Sequence, residues 1–210
     1  MPDQDWVALV ADHKQRQALH IARTAIDLAA AKGLAGVSMS GLAQAAGVAR
    51  ATLYNYFPDV QTAIRSYLSA ASDGFYSRVI AAVAEETGPP AKLRRYVVEQ
   101  VSYVDGDDHR AAAGLMENGA LPPRPAGAAR PEDRQHRLLV DILGQGMGVG
   151  AFRQDMHVEV VAALVQRMLH ATHDLLHKQH IERAVVISEV LALVESRVLP
   201  TPLARDRPFP

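Results

Sequence analysis

The stretch that decides the fold is SGLAQAAGVARATLYNYF, residues 40–57. It holds two short segments with helical spacing of apolar residues, and Gly47 lies between them. Glycine accepts the left-handed backbone conformation that ends one helix and allows the next to start at once. Ala43 is small enough for the two helices to cross closely, and Leu53 supplies a buried side chain. The stretch therefore predicts a helix-turn-helix whose second helix spans 50–57.

The outward face of this second helix carries side chains suited to the major groove of DNA. At about 100° per residue, a Leu53 that points into the core places Ala51 and Asn55 nearly opposite. An amide pairs with base edges, a threonine methyl contacts thymine, and tyrosine hydroxyls contact phosphates. Both tyrosine rings could instead pack between helices. Ser40 is expected to cap the first of the two short helices. The candidate DNA-contacting residues are Ser38, Ser40, Arg50, Ala51, Thr52, Tyr54, Asn55 and Tyr56.

With its flanks, this region resembles the DNA-binding domain of the TetR family of bacterial transcriptional repressors. The resemblance spans roughly residues 17–68, and its most specific part is T-L-Y-x-Y-F at 52–57 after A-G-V at 46–48. It implies a homodimer that binds palindromic double-stranded operator DNA and leaves it when a small-molecule effector binds. One departure is Val60, where family members commonly have a lysine that contacts a phosphate. Ala49 and Ala51 also stand where serine and glycine are usual.

Charge and composition limit the other possible functions. The chain has 210 residues, a net charge of −1, 49% hydrophobic residues and no cysteine, which excludes disulfides, thiolate nucleophiles and cysteine-ligated zinc. Residues 1–59 contain five basic and five acidic side chains, so DNA binding must depend on a few local groups. The start of the chain lacks the order of a signal peptide, and no long apolar run is free of charge. We expect a cytoplasmic protein that does not bind membranes.

Outward from the helix-turn-helix, apolar residues keep spacings of three and four, which predicts an all-α protein. The predicted domains are a DNA-binding domain at 1–59 and a larger helical ligand-binding and dimerisation domain at 60–210. Gly33 is expected to end the first helix. A proline-rich loop is expected at 119–133. The remaining helices are expected at about 11–32, 60–86, 90–105, 108–118, 131–148, 157–179 and 182–199.

Apolar stripes on the last two helices suggest a dimer interface. They fit a four-helix bundle across a two-fold axis, although the same stripes could be ordinary core within one chain. The segment GMGVGAFRQD, 146–155, that precedes these helices resembles the family in outline. The candidate interface residues are Val158, Val161, Val165, Val186, Val190 and Leu193.

The effector site is the least specific prediction. Side chains of mixed polarity at inward positions suit a pocket wall, but plain core packing is the common role of such residues. The candidates are Tyr103, Met116, Met168, Thr172 and His173.

Three histidines in HATHDLLH favour a different interpretation. His173 and His177 are four residues apart on one helix face and could share a metal ion, whereas His170 lies about 10 Å from His177 along the axis. The alternative function is therefore a helical metal-binding or protein-interaction protein that has lost DNA binding. No nucleophile–base spacing or phosphate loop accompanies the histidines, so neither enzyme activity nor a cofactor is expected.

Overall fold

The computed structural model describes residues 4–106, 109–110, 115 and 131–200. Within these ranges the regular structure is helical and contains no strand, which confirms the predicted all-α class. The elements are α1 Gln4–Lys32, a 3-10 turn Leu34–Gly36, α2 Met39–Ala45, α3 Arg50–Tyr56, α4 Val60–Glu85, α5 Pro89–Val104, α6 Pro131–Gly148, α7 Val158–His177 and α8 Arg183–Val198.

Two helix starts differ from the sequence prediction. Helix α1 begins at Gln4 and not near residue 11, because no glycine or proline interrupts its first turns and Asp12 pairs with Arg16 one turn later. Helix α2 begins at Met39, so the prediction of Ser40 as its N-cap was wrong. The cap is Ser38, whose Oγ accepts a hydrogen bond of 3.1 Å from the backbone N–H of Gly41.

The last three residues of the predicted loop at 119–133 belong to a helix. Helix α6 starts at Pro131, a residue whose fixed φ suits the first helical turn, so 131–133 are helical. Residues 109, 110 and 115 of the helix expected at 108–118 are helical. The rest of that helix, loop residues 119–130 and the tail 201–210 lie outside the described residues.

The chain forms two compact units. Unit 1 comprises Met1–Gly74 with Asp107–Ala128, and unit 2 comprises Phe75–Gly106 with Ala129–Pro210. Helix α4 contributes residues to both units, whereas the sequence assigned all of it to the second domain. The functional boundary at 59/60 remains a prediction.

The core of unit 1 joins α1, α2, α3 and the first half of α4. Gly47 has a φ of 66°, the left-handed conformation that the turn between α2 and α3 requires. Arg23 on α1 donates a hydrogen bond of 2.7 Å to the hydroxyl of Tyr67 on α4. The Gly47 turn thus connects α2 to α3, and the Arg23 bond joins α1 to α4. Fully buried side chains in this core include Ile21, Ala25, Leu42, Leu53, Ala63 and Ile64.

Unit 2 packs α5 to α8 and the second half of α4 around one apolar core. At Gly146 a Cβ atom would lie 1.9 Å from the Phe152 ring, so this position accepts only glycine without movement of the ring. The backbone N–H of Arg153 donates to the Val198 carbonyl at 2.9 Å, which fixes the segment between α6 and α7 against the end of α8.

Candidate nucleic-acid interface and effector site

Helix α3 presents one face to solvent and the other to the core of unit 1. Leu53 is fully buried, and Phe57 just after the helix is 6% exposed. Tyr54 is 46% exposed although its ring is large and apolar. This orientation places the candidate base-contacting residues together on the open face. The exposed residues of α3 include Arg50, Ala51, Thr52, Tyr54 and Asn55.

Arg50 and Tyr54 contact each other on this face. The Arg50 Nη2 atom donates a hydrogen bond of 3.4 Å to the Tyr54 hydroxyl. Its guanidinium carbon lies 5.7 Å from the centroid of the Tyr54 ring, within the range of a cation–π contact. Tyr54 therefore limits the positions of the Arg50 fork, which reduces the entropy lost when arginine pairs with a guanine or a phosphate.

The remaining candidates lie at the edges of this face. Tyr56 is half-buried and packs against the core of unit 1, so its ring also has a packing role. Ser38 and Ser40 are exposed in the first turn of α2. The Ser38 hydroxyl caps the helix, whereas Ser40 does not serve as the cap.

The start of α4 lacks a cation. Val60 is 8% exposed and belongs to the core of unit 1. Asp59 precedes it, and its Oδ1 accepts a hydrogen bond of 2.6 Å from the backbone N–H of Thr62. This bond lowers the pKa of Asp59 and keeps it charged at neutral pH. A carboxylate thus stands near the position where the family pattern has a phosphate-contacting lysine.

Lys14 is a candidate that the sequence analysis missed. It lies on α1 and lines an open groove of about 450 Å³ together with Asn55 and Tyr56. A lysine at the edge of the exposed α3 face is suited to a phosphate contact. The predicted helix at 11–32 already contains Lys14, but the sequence does not show that it lies beside Asn55.

The predicted interface residues lie mainly in the protomer's own core. Val161 and Val165 are 5% and 6% exposed, and Val186 and Val190 are 2% and 4% exposed. Val158 packs partly against the same core, and only Leu193, at 58% exposure, is available to a partner. The other exposed large apolar residues of these two helices each lie one position before a predicted interface residue: Val160, Leu164 and Val185.

The candidate effector residues lie in or beside the core of unit 2. The ring of Tyr103 stacks on Phe75 with a centroid distance of 3.8 Å. The hydroxyl of buried Thr172 donates to the Leu169 carbonyl at 2.6 Å, so it is occupied within its own helix. Met168 is half-buried against the core. Met116 lies outside the described residues.

The three histidines of α7 do not converge on one point. The His170 Nδ1 atom lies 2.7 Å from the carbonyl of Gln166 on the same helix. His177 Nε2 lies 2.9 Å from the Val104 carbonyl at the end of α5. The rings of His173 and His177 contact each other at a centroid distance of 4.7 Å. His177 thus serves to join α7 to α5.

His136 links α6 to α7. Its Nε2 lies 2.8 Å from Glu159 Oε2 and its Nδ1 lies 2.9 Å from Gln166 Oε1. The hydrogen bond with Glu159, followed by that with Gln166, raises the pKa of His136, and the charge of Asp133 adds to the effect.

A pH dependence of stability follows from this raised pKa. Since protonation is favoured in the folded state, the stabilisation is fully present below about pH 6.5 and is lost as the pH rises through the folded pKa. Because Glu159 is 62% exposed, we expect at most about 1 kcal/mol. His136→Gln should remove this change in urea unfolding, and exposed His13→Gln should keep it. An unchanged pH profile in His136→Gln would contradict the assignment.

The fold and the exposed α3 face define a helix-turn-helix transcriptional regulator. Residues 21–59 match the family model of bacterial regulatory proteins, tetR family. This match identifies residues 21–59, which are 39 of the 210 residues, as a DNA-binding region of the TetR type. Among the helices in the described ranges, none is long and apolar enough to cross a bilayer.

Several known proteins are similar to the chain. The transcriptional repressor KstR2 of Mycobacterium tuberculosis is 24% identical over 149 residues, which cover 67% of this chain and 74% of the repressor. The regulator FadR from Bacillus subtilis, solved with stearoyl-CoA, has a TM-score of 0.65 at 20% identity and covers 83% and 96% of the two chains. A regulator from Saccharomonospora viridis, solved with choline, reaches 0.73 at 17% identity, covering 91% and 100%. These structures support the fold.

Proposed function

We propose that the protein is a ligand-responsive transcriptional repressor. It binds a palindromic operator as a homodimer through α3, and a small-molecule effector in the helical part after Val60 releases it. The observation that carries the proposal is the exposed face of α3, where a guanidinium, a methyl-bearing hydroxyl and an amide lie beside each other while Leu53 is buried. This set of groups suits direct readout of a major groove.

The dimer surface is proposed on α7 and α8, which pack against each other. Leu164 is 64% exposed and Leu193 is 58% exposed, and Val160 and Val185 are about half exposed on the same two helices. Such side chains are costly on a solvated helix face but are typical of a homodimer core. Two protomers joined here by a two-fold axis would present two α3 helices to a palindromic site.

Release requires an effector that prefers a conformation with a different spacing of the α3 helices. Helix α4 is continuous from Val60 to Glu85 and supplies residues to both compact units, so it can transmit a displacement. The solved relatives were captured with stearoyl-CoA and with choline, which differ in size and charge. The effector must therefore be inferred from the residues of this chain.

The decisive experiment selects DNA with the purified protein and measures binding of the enriched sequence by fluorescence anisotropy. We expect an inverted repeat whose half-site centres are about one helical turn apart. Enrichment of no sequence at low salt would contradict the proposal and favour the alternative protein-interaction function. The histidine strip supplies no independent observation for that alternative.

Asn55→Ala combined with Tyr54→Phe should weaken operator binding by about 10-fold to 100-fold. The double change removes one amide that pairs with a base edge, which is worth about 1–3 kcal/mol, and one hydroxyl that positions the helix. Gln17→Ala on α1 is the control. Anisotropy titrations of all three proteins measure the effect, and unchanged affinity of the double variant would show that this face does not touch DNA.

The salt dependence of operator binding should be shallow. Few cations line the proposed surface, and the logarithm of affinity falls by about 0.9 per phosphate contact for each logarithmic unit of salt. Lys14→Gln should make the slope shallower by about one contact per protomer. Arg94→Gln, in unit 2, is the control. A steep slope in the unmodified protein would contradict this assignment.

A further inference from the structure

Unit 2 contains a buried polar cluster that none of the proposed DNA, dimer or histidine roles uses. We define the amide cluster as Tyr96 and Gln100 on α5, Gln135 and His136 on α6, and Gln166 on α7. Tyr96 is fully buried, and Gln100 and Gln135 are 6% and 7% exposed. The apolar core of unit 2 includes side chains from the same three helices. Polar groups in such a core are costly unless they are paired.

The oxygen atoms of two of these amides are already engaged. Gln100 Oε1 accepts a hydrogen bond of 3.1 Å from Gln135 Nε2. Gln166 Oε1 lies 2.9 Å from the Nδ1 atom of His136, whose other nitrogen faces Glu159. Because an amide oxygen only accepts, His136 Nδ1 is the donor in its contact with Gln166 Oε1. The NH₂ groups of Gln100 and Gln166 are therefore left to face another partner.

These NH₂ groups have no acceptor within the described part of the chain. The Nε2 atoms of Gln100 and Gln166 are both buried and make no hydrogen bond there. The Tyr96 hydroxyl on α5 donates to the Gln135 carbonyl on α6 at 3.4 Å. Burial raises the pKa of Tyr96 and the nearby Gln166 side chain opposes this rise, although Gln166 Nε2 makes no hydrogen bond of normal geometry. A buried donor without an acceptor costs about 1–3 kcal/mol, so an acceptor supplied by a bound molecule would recover this cost at both glutamines.

We propose that the amide cluster is the polar end of the effector site and that it takes an uncharged hydrogen-bond acceptor, such as a ketone, ester or thioester carbonyl on an otherwise apolar molecule. This inference rests on the proposed function, since it names the ligand class of a regulator. The carbonyl oxygen would accept from Gln100 Nε2 on α5 and Gln166 Nε2 on α7. The ligand would then bridge α5 and α7. The hydrogen bonds of Gln135 and His136 join each of these helices to α6.

Charged ligands fit the cluster poorly. An anion needs a cation, and His136 already pairs with Glu159. A cation would meet two donating NH₂ groups, and the amide oxygens that could neutralise it are engaged with Gln135 and His136. A neutral carbonyl meets both donors without the cost of burying an unpaired charge.

The test uses three small probes of the same ring size: cyclohexanone, cyclohexanecarboxylate and cyclohexylammonium. Isotope-labelled full-length protein is titrated with each, and the side-chain amide signals of Gln100 and Gln166 are followed by NMR. We expect cyclohexanone to shift both signals in a saturable manner and the charged probes to leave them unchanged. Gln100→Met and Gln166→Met keep the side-chain volume but remove the donor, and each should weaken cyclohexanone binding about fivefold or more. Exposed Gln145→Met is the matched control.

Three results would overturn the proposal. One is the absence of any shift with cyclohexanone, which would mean that the amides serve the protein alone. Another is equal or tighter binding of a charged probe at the same signals. The third is unchanged cyclohexanone affinity in both methionine variants. Because the NMR signals belong to Gln100 and Gln166 themselves, the wild-type titration decides the question even if a variant fails to fold.

Operator binding separates this inference from the proposed function. If cyclohexanone engages both amides and the protein selects no DNA, the ligand site stands and the repressor proposal fails. If the protein binds an operator and other molecules release it without moving the Gln100 and Gln166 signals, the repressor proposal stands and the amide cluster is not its effector site.

Discussion

A protein that carries Leu164→Asp and Leu193→Asp is expected to be monomeric and to bind its operator at least 100-fold more weakly than the unmodified protein. The two leucines are 64% and 58% exposed in the protomer, so their replacement leaves the core of unit 2 intact. In a two-fold interface each carboxylate would be buried twice and without a partner, at a cost of several kcal/mol. Loss of the dimer removes the gain from binding two half-sites, which is about 10²- to 10⁴-fold.

Sedimentation measures the oligomeric state, and anisotropy measures operator binding. The matched control is Ile80→Asp, because Ile80 on α4 is 49% exposed and belongs to neither α7 nor α8. It should remain dimeric with unchanged DNA affinity. A double variant that stays dimeric would show that another surface joins the protomers.

The proposed dimer surface depends on helix rotation, which the sequence pattern does not determine. Helices α7 and α8 carry apolar residues in adjacent pairs, Val160 with Val161, Leu164 with Val165, and Val185 with Val186. Spacings of three and four identify an apolar stripe but do not tell which member of a pair faces the protomer's own core. The structure assigns the second member of each pair to the core and leaves the first exposed. Helix type was predictable, but helix rotation was not.

The helix-turn-helix was predictable because short-range features determine the rotation of α3. Its decisive features are local: Gly47 needs a left-handed φ, and α3 is only two turns long with Leu53 as its one buried side chain. One anchor fixes the rotation of so short a helix, so the exposed residues follow from angles alone. The amide cluster has no such local signal, because Gln100, Gln135 and Gln166 come together only when three separate helices pack.

The N-cap of α2 is a local feature that the sequence did not determine. The segment SMSG offers Ser38 and Ser40 as alternative N-caps, and sequence preference does not distinguish two serines. The backbone of Ser38 is extended, and its hydroxyl accepts from Gly41. With Ser38 as the cap, the helix starts two residues earlier than with Ser40. Ser40 is left exposed for another contact.

Leu53→Ala is expected to abolish specific DNA binding while the dimer persists. Leu53 is fully buried and is the only buried residue of α3, so its truncation leaves a cavity and costs about 2–5 kcal/mol. The core of unit 1 is separate from that of unit 2, and the proposed interface residues lie in unit 2. We expect the loss to fall on the position of α3 before it affects the dimer.

The matched control is Leu19→Ala, which removes the same atoms from a side chain of α1 that is 46% exposed and should change operator affinity little. Anisotropy, sedimentation and thermal unfolding of both variants measure the three quantities. Retained operator affinity in Leu53→Ala would mean that DNA itself can order α3, because its binding free energy would offset the cavity cost. Loss of binding with an intact dimer would instead show that the exposed face must be held in place before DNA arrives, and Leu53 is the side chain that holds it.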